Sequence, residues 1–167
     1  MTTPAPLAQV NSSSTKQDTI EDVLASKGFI TSAQLKFIKN ESTRRIEPAE
    51  KIISAMNWVS VEQLAQAKAQ VIGIPYINPA QQPISPEVLS SISEDVAKRF
   101  TVIPLARDQT TISLAMVDPL DLQVVEFIEK KSGLTVKPYL ATAVTINRAI
   151  AEQYTRGLSK EVTDALQ

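Results

Sequence analysis

The sequence predicts an α+β fold, in which a helical subdomain of two helix-turn-helix units is followed by a small three-stranded sheet with covering helices. Three observations lead there. Two short apolar runs, Thr101–Ala106 and Thr111–Val117, meet at the polar turn Arg107-Asp108-Gln109 and read as a β-hairpin. The hairpin feeds a capped helix, a third apolar run and a last helix, so that strand, strand, helix, strand, helix follow one another within ~50 residues, a layer whose helices can cover one face of its sheet. Upstream, a short helical pattern occurs twice at a fixed offset.

Residues 1–17 are rich in Thr, Pro, Ser, Gln and Asn and hold too few large apolar groups to offset the entropy of ordering, which predicts a disordered arm. From Asp18 the pattern turns helical: Ile20, Val23 and Leu24 form a short apolar face, closed by Lys27 and Gly28. Thr31 opens a second helix as a capping box with Gln34, ahead of Leu35 and Ile38. The arrangement then recurs. Pro48 stands at a first helical position, Ile52 and Ile53 point inward, Asn57 replaces Gly28, and Ser60 with Gln63 repeats the capping box before Leu64 and Ala67. Thr31 and Ser60, Gln34 and Gln63, Leu35 and Leu64, and Gly28 and Asn57 are each 29 residues apart, which argues for a duplicated unit over residues 18–71.

Val71–Ile77 reads as a short extended segment, and residues 72–84 as a linker interrupted by Pro75, Pro79 and Pro83. Residues 85–154 form the α/β subdomain. Ser85 with Pro86 starts one short helix, and Ser93 with Glu94 and Asp95 starts another that ends near Phe100. In the hairpin, Ile112, Leu114 and Met116 share one face and Ser113, Ala115 and Val117 the other. Asp118-Pro119 stops the second strand, and Asp118 or Asp121 caps a helix from Leu122 to Lys131 whose buried face is expected to hold Val124, Phe127 and Ile128. Lys130 and Lys131 sit at its negative end, and Ser132-Gly133 terminates it. A strand over Leu134–Leu140 follows. Thr142 begins a helix with Ile146, Ala149, Ile150 and Tyr154 on one stripe; residues 155–167 are read as a tail with a weak helix start at Ser159.

Composition removes much of enzymology. The 167 residues can bury ~70% of their unfolded surface without staples. No cysteine or histidine is present, so thiol nucleophiles, imidazole bases and thiolate or imidazole metal sites are excluded. With 17 basic against 18 acidic residues the net charge is -1, too balanced for non-specific nucleic-acid binding. No apolar run approaches the ~18 residues of a membrane span. The N-terminus lacks the apolar core of a signal peptide, and the expected location is the cytoplasm. The four glycines begin no phosphate-cradling loop. Glu47, Glu50, Asp95, Asp118 and Asp121 lie at caps or first turns, where helix dipoles favour carboxylates for structural reasons. Ser13-Ser14-Thr15-Lys16 matches a Ser-x-x-Lys pattern without the rigid helix that chemistry needs. No catalytic residue and no metal ligand is expected in the chain.

The segments GIPYI, ISPEVLSSISEDVAKRFTVIPLARDQTTISLAMVDPLDLQVVEFIEKKSGLTVKPYLAT and INRAIAEQY, preceded by two capped helical pairs, resemble the N-terminal domain of type II secretion and type IV pilus assembly ATPases, the PilB-like or GspE-like class with its MshEN-type domain. The resemblance covers residues 18–154. It implies a motor domain beyond residue 167, hexameric in the family and using ATP and Mg, which the tail would lead towards. It also implies docking on an inner-membrane platform protein at the cytoplasmic face and, in some members, binding of cyclic di-GMP. Members that bind the dinucleotide carry an Arg-Leu-Gly start and a closing glutamine in each helical pair. Here the first copy reads Thr19-Ile20-Glu21 with Ser42, and the second Pro48-Ala49-Glu50 with Val71, so the arginines, glycines and glutamines are all replaced. Carboxylates at Glu21 and Glu50 would repel a bis-phosphate ligand, which argues against cyclic di-GMP and for a docking and regulatory role. Lys130, Lys131 and Arg148, expected to point away from the stripe of Phe127, Ile146 and Ile150, are the candidate docking residues. Neither nucleic-acid binding nor direct membrane insertion is expected.

Overall fold

A computed structural model describes residues 18–165, with side chains described as far as Gly157. The expected arm at residues 1–17, with its Ser-x-x-Lys match, lies outside the described residues. Four helices come first: α1 (Ile20–Ser26), α2 (Ser32–Arg45), α3 (Ala49–Met56) and α4 (Val61–Ile72). A 3-10 turn at Pro79–Gln81 and the short helices α5 (Pro86–Leu89) and α6 (Glu94–Phe100) lead to β1 (Val102–Arg107), β2 (Thr111–Met116), α7 (Leu122–Ser132), β3 (Thr135–Leu140) and α8 (Ala143–Ala165). The architecture is α+β, with the helical part first and a three-stranded sheet after it.

Both capping boxes form. Thr31 N donates to Gln34 Oε1 at 2.8 Å and Gln34 N to Thr31 Oγ1 at 3.2 Å, and the same exchange joins Ser60 and Gln63 at 2.9 and 3.1 Å. Gly28 and Asn57 both turn through the left-handed region, at φ 75° and 53°, which explains why the two residue types that tolerate it stand at equivalent places. The repeat extends into the core. Val23, Leu24 and Ile38 recur 29 residues on as Ile52, Ile53 and Ala67, and all six are buried in one cluster. α1 packs on α4 and α2 on α3, so the first helix of each pair rests on the second helix of the other.

The sheet order is β1-β2-β3, with β1 and β2 antiparallel and β2 and β3 parallel through the α7 crossover. Ile112, Leu114 and Met116 are buried on one face, as their alternation predicts. The opposite face is covered as well: Ile103 pairs with Ala115 and both are fully buried, so the helices do not leave one side of the sheet bare. Asp121, not Asp118, caps α7, accepting from Gln123 N and Val124 N at 3.1 and 3.3 Å.

Several expectations need correcting. Phe127 is 36% exposed; Ile128 alone is fully buried on α7, and Phe127, about 100° around the helix from it, packs its ring on Phe100 at 4.9 Å instead. Pro48 is the residue before α3 and not its first turn, because the helix begins at Ala49. Val71 and Ile72 belong to α4, and only Tyr76 of the supposed extended segment pairs with a strand, bridging Leu140 of β3. Finally, α8 does not stop at Tyr154. It runs unbroken for 23 residues through Gly157, whose missing side chain costs a helix about 1 kcal/mol relative to alanine without breaking it.

The two halves have separate cores. One gathers around Leu24, Ile38 and Ile53; the other takes in the sheet, α5–α8 and Ile84. Tyr76 joins them: its backbone neighbours bond β3 (Ile77 N to Leu140 O and Leu140 N to Pro75 O, each 2.9 Å), while its hydroxyl donates to Glu62 Oε1 on α4 at 3.0 Å. On α8, Tyr154 donates to Ile92 O at 2.7 Å and Gln153 Nε2 to Gln82 O at 3.0 Å, which ties the connecting segment to the sheet half.

Candidate functional site

The duplicated unit brings equivalent positions of α1 and α3 together. Asp18, Thr19, Ile20 and Glu21 from the start of α1, Pro48, Ala49 and Glu50 from the start of α3, and Val71 from α4 line one open cleft of about 340 Å³. Five of the six altered motif positions, Thr19, Glu21, Pro48, Glu50 and Val71, therefore meet at one site. Ser42 does not reach it; its hydroxyl donates to Glu47 O at 2.6 Å and helps close α2 onto the next turn.

The chemistry of this cleft is acidic on an apolar floor. Thr19 is committed as the cap of α1, accepting from Asp22 N at 3.4 Å and donating to Asp22 Oδ2 at 2.8 Å. Lys39 pairs with Asp22 at 2.7 Å, and Lys68, which stands 29 residues later, pairs with Glu50 at 3.4 Å. The hydrogen bond from Lys39 holds the Asp22 carboxyl below its ordinary range, and the same bond raises Lys39. Both lysines are thus engaged with carboxylates of their own helical pair. Among the described residues no arginine lines the cleft, and three carboxylates, Asp18, Glu21 and Glu50, do.

The candidate docking residues are surface groups. Lys130 and Lys131 are exposed in the last turn of α7. Arg148 is exposed on α8, where its Nε donates to Glu152 Oε1 at 2.9 Å. All three are exposed whereas Ile146 and Ile150 are buried, and no hydrogen bond or ion pair among the described residues joins Arg148 to the α7 pair. Sequence reasoning missed a different feature at the other end of α7. Val117, Leu120 and Leu122 are exposed around the Asp118-Pro119 turn, and Val144 is exposed in the first turn of α8. Their signal in the sequence was Leu120 and Leu122 alternating with Asp118-Pro119 and Asp121 where a polar loop would be expected.

Comparison with known proteins follows the same division. The MshEN domain model matches residues 72–160, more than half of the chain, and falls on the sheet half. The chain is 30% identical over 105 residues to the type IV pilus assembly ATPase PilB of Thermus thermophilus, covering 62% of this chain and 12% of that protein. It is 21% identical over 133 residues to the type IV pilus assembly ATPase PilB of Myxococcus xanthus, covering 80% of this chain and 24% of that one. The chain therefore spans a quarter or less of these relatives. Among solved structures, that of MshE with cdg superposes with a TM-score of 0.62 at 20% identity, covering 82% of this chain and 99% of that one. The N-terminal domain of XpsE superposes with a TM-score of 0.51 at 21% identity, covering 79% and 91%. These two likenesses show a common fold that spans both halves. By the family model that covers more than half of it, the chain belongs to the MshEN domain family, the N-terminal domain type of secretion and pilus-assembly ATPases.

Proposed function

We propose that this domain docks and regulates the motor of a type IV pilus assembly or type II secretion ATPase, coupling it to an inner-membrane platform protein from the cytoplasmic side. The observation that carries this reading is the MshEN match over the sheet half, together with relatives that are pilus assembly ATPases. ATP and Mg belong to the motor domain of such a protein, and the present chain is expected to hydrolyse no ATP, having neither a phosphate loop nor a histidine or cysteine. The test is direct binding of the purified chain to the cytoplasmic domain of the platform protein, measured by calorimetry. Saturable binding supports the reading and its absence refutes it. Lys130, Lys131 and Arg148 enter as rim charges; a K130E/K131E/R148E variant that binds as tightly as the parent places the docking face elsewhere.

A second reading, a cyclic di-GMP sensor, is favoured by one observation: the cleft sits where equivalent parts of two repeated units converge, a geometry suited to a two-fold ligand, and MshE has been solved with cdg. The acidic lining weighs against it. Each charge-assisted hydrogen bond that the ligand forgoes weakens binding by about 1.5–3 kcal/mol, so the absence of two arginines lowers affinity about a thousandfold or more. No saturable binding is expected at micromolar cyclic di-GMP, and a low-micromolar dissociation constant by calorimetry would reverse the order of the two readings.

A further inference from the structure

The cleft between the two helical pairs combines an apolar floor with charge at its edge. Ile20, Ala49 and Val71 line it, and each also packs on the buried cluster of the helical half while staying only partly buried. Asp18, Glu21 and Glu50 line the same space of about 340 Å³. Helix dipoles account for Glu21 and Glu50 in the first turns of α1 and α3, but they ask for no open apolar surface beside them. A concavity of roughly 300 Å³ or more, apolar with a few placed polar groups, is the usual form of a binding site, and this one is open to the side chains of a peptide.

Charge and shape together define the occupant. Lys39 pairs with Asp22 at 2.7 Å and Lys68 with Glu50 at 3.4 Å, so both lysines are already matched. Four carboxylates, Asp18, Glu21, Asp22 and Glu50, thus stand against two lysines, an excess of two negative charges. Among the described residues Asp18 and Glu21 make no ion pair. An apolar floor edged by unmatched carboxylates complements the two parts of one lysine or arginine side chain, whose methylene stem lies on apolar surface while its head stays with charge and water. A phosphate-bearing ligand would bring like charge to that edge, and a purely apolar one would strip water from the carboxylates without replacing it.

We propose that this cleft takes a short basic segment of the platform protein's cytoplasmic domain, with the stem of a lysine or arginine on Ile20, Ala49 and Val71 and its head between Glu21 and Glu50. The inference rests on the docking reading and places the centre of docking on the helical pairs. Burial on the floor holds the complex together, whereas the carboxylates select a basic segment and speed its association.

The experiment uses the full chain and the cytoplasmic domain of the platform protein, with affinity measured at low and high salt. An E21Q/E50Q variant keeps the size of both side chains and gives up only one half-exposed ion pair, so circular dichroism should show a normal fold. It should bind at least tenfold more weakly at low salt and show a flatter salt dependence. An Ala49→Met variant, whose longer side chain suits a helix and occupies the floor, should also bind at least tenfold more weakly, at either salt. Binding by both variants within twofold of the parent overturns the site. An unchanged salt dependence in E21Q/E50Q overturns the basic character of the occupant, as does saturable binding of micromolar cyclic di-GMP to the parent. Tighter binding by E21Q/E50Q would assign the cleft to a basic group of this chain itself and overturn a separate occupant. If the parent does not bind the platform domain, the docking reading falls and the inference falls with it, an outcome distinct from parent binding that the variants leave intact.

Discussion

The first and second helical pairs are built on one plan, yet they differ in where they have been allowed to change. Positions that face the core or start a helix are retained in kind: Val23 and Ile52, Leu24 and Ile53, Thr31 and Ser60, Gln34 and Gln63. Even the cross-helix lysines recur, as Lys39 and Lys68. At the shared cleft the two copies agree at Glu21 and Glu50 but differ elsewhere. Thr19 caps α1 with its side chain whereas its counterpart Pro48 offers no side-chain cap, and Ser42 is drawn into a turn while Val71 lines the cleft. The contrast separates two requirements. Packing demands that each pair supply apolar side chains at the same places and a capped second helix, because the first helix of one pair rests on the second of the other. Packing alone does not require the differences at Thr19 and Pro48 or at Ser42 and Val71 to be matched.

The largest test of that separation lies in the core. Leu24→Ala and Ile53→Ala remove fully buried side chains at equivalent positions, and each is expected to cost about 2–5 kcal/mol, with the two values close to one another, in urea unfolding followed by circular dichroism. A difference approaching the whole effect would mean that the pairs do not share one core. Next in size are the ends of the second helices. α2 ends at Ile46, a β-branched residue at φ 55° and 92% exposed, whereas α4 ends at Gly73 at φ 72°. A left-handed conformation costs an ordinary residue about 1–2 kcal/mol, so Ile46→Gly should stabilise the chain by about 1 kcal/mol and Gly73→Ile should destabilise it by a similar amount. Equal and small effects at both sites would show that the α2 end relaxes. Smallest is the effect of acid on the first pair. The Asp22 carboxyl is held below its ordinary 3.8 by Lys39, so its contribution is complete above about pH 4 and is lost as pH falls through the lowered value. Lys39→Met should reduce that acid sensitivity, with the Thr19 hydrogen bonds keeping part of it, and a loss of stability between pH 5 and pH 3 equal in the variant and the native chain would contradict it.

Local chemistry explains why so much of the chain is legible from its sequence. A capping box, an Asp-Pro stop or a two-residue alternation is decided by neighbours a few places away, and so Thr31, Ser60, the hairpin and the ends of α7 follow from the sequence alone. What escaped depends on distant partners. Phe127 fits a buried stripe until α6 brings Phe100 beside it at the edge. The continuation of α8 through Gly157 overrides a residue with low helix propensity. The pairing of Tyr76 with β3 needs the whole sheet half to be in place. The candidate cleft was half legible: the 29-residue repeat implied that equivalent positions exist, but only the crossed packing of the helices shows that Glu21 and Glu50 face one space.

Tyr76 has a consequence for how the chain comes apart. Its backbone neighbours belong to the sheet ladder and its hydroxyl to a carboxylate on α4, so one residue serves both cores. Burial and the neighbouring Glu62 push its hydroxyl up to about 12, so it remains a proton donor into alkaline solution. Among the described residues two separate apolar clusters are joined at this side chain and the linker, so cooperativity is expected to be set mainly within each half. The urea transitions of the helical pairs and of the sheet half are then expected to separate, so that changes in the first leave the second in place.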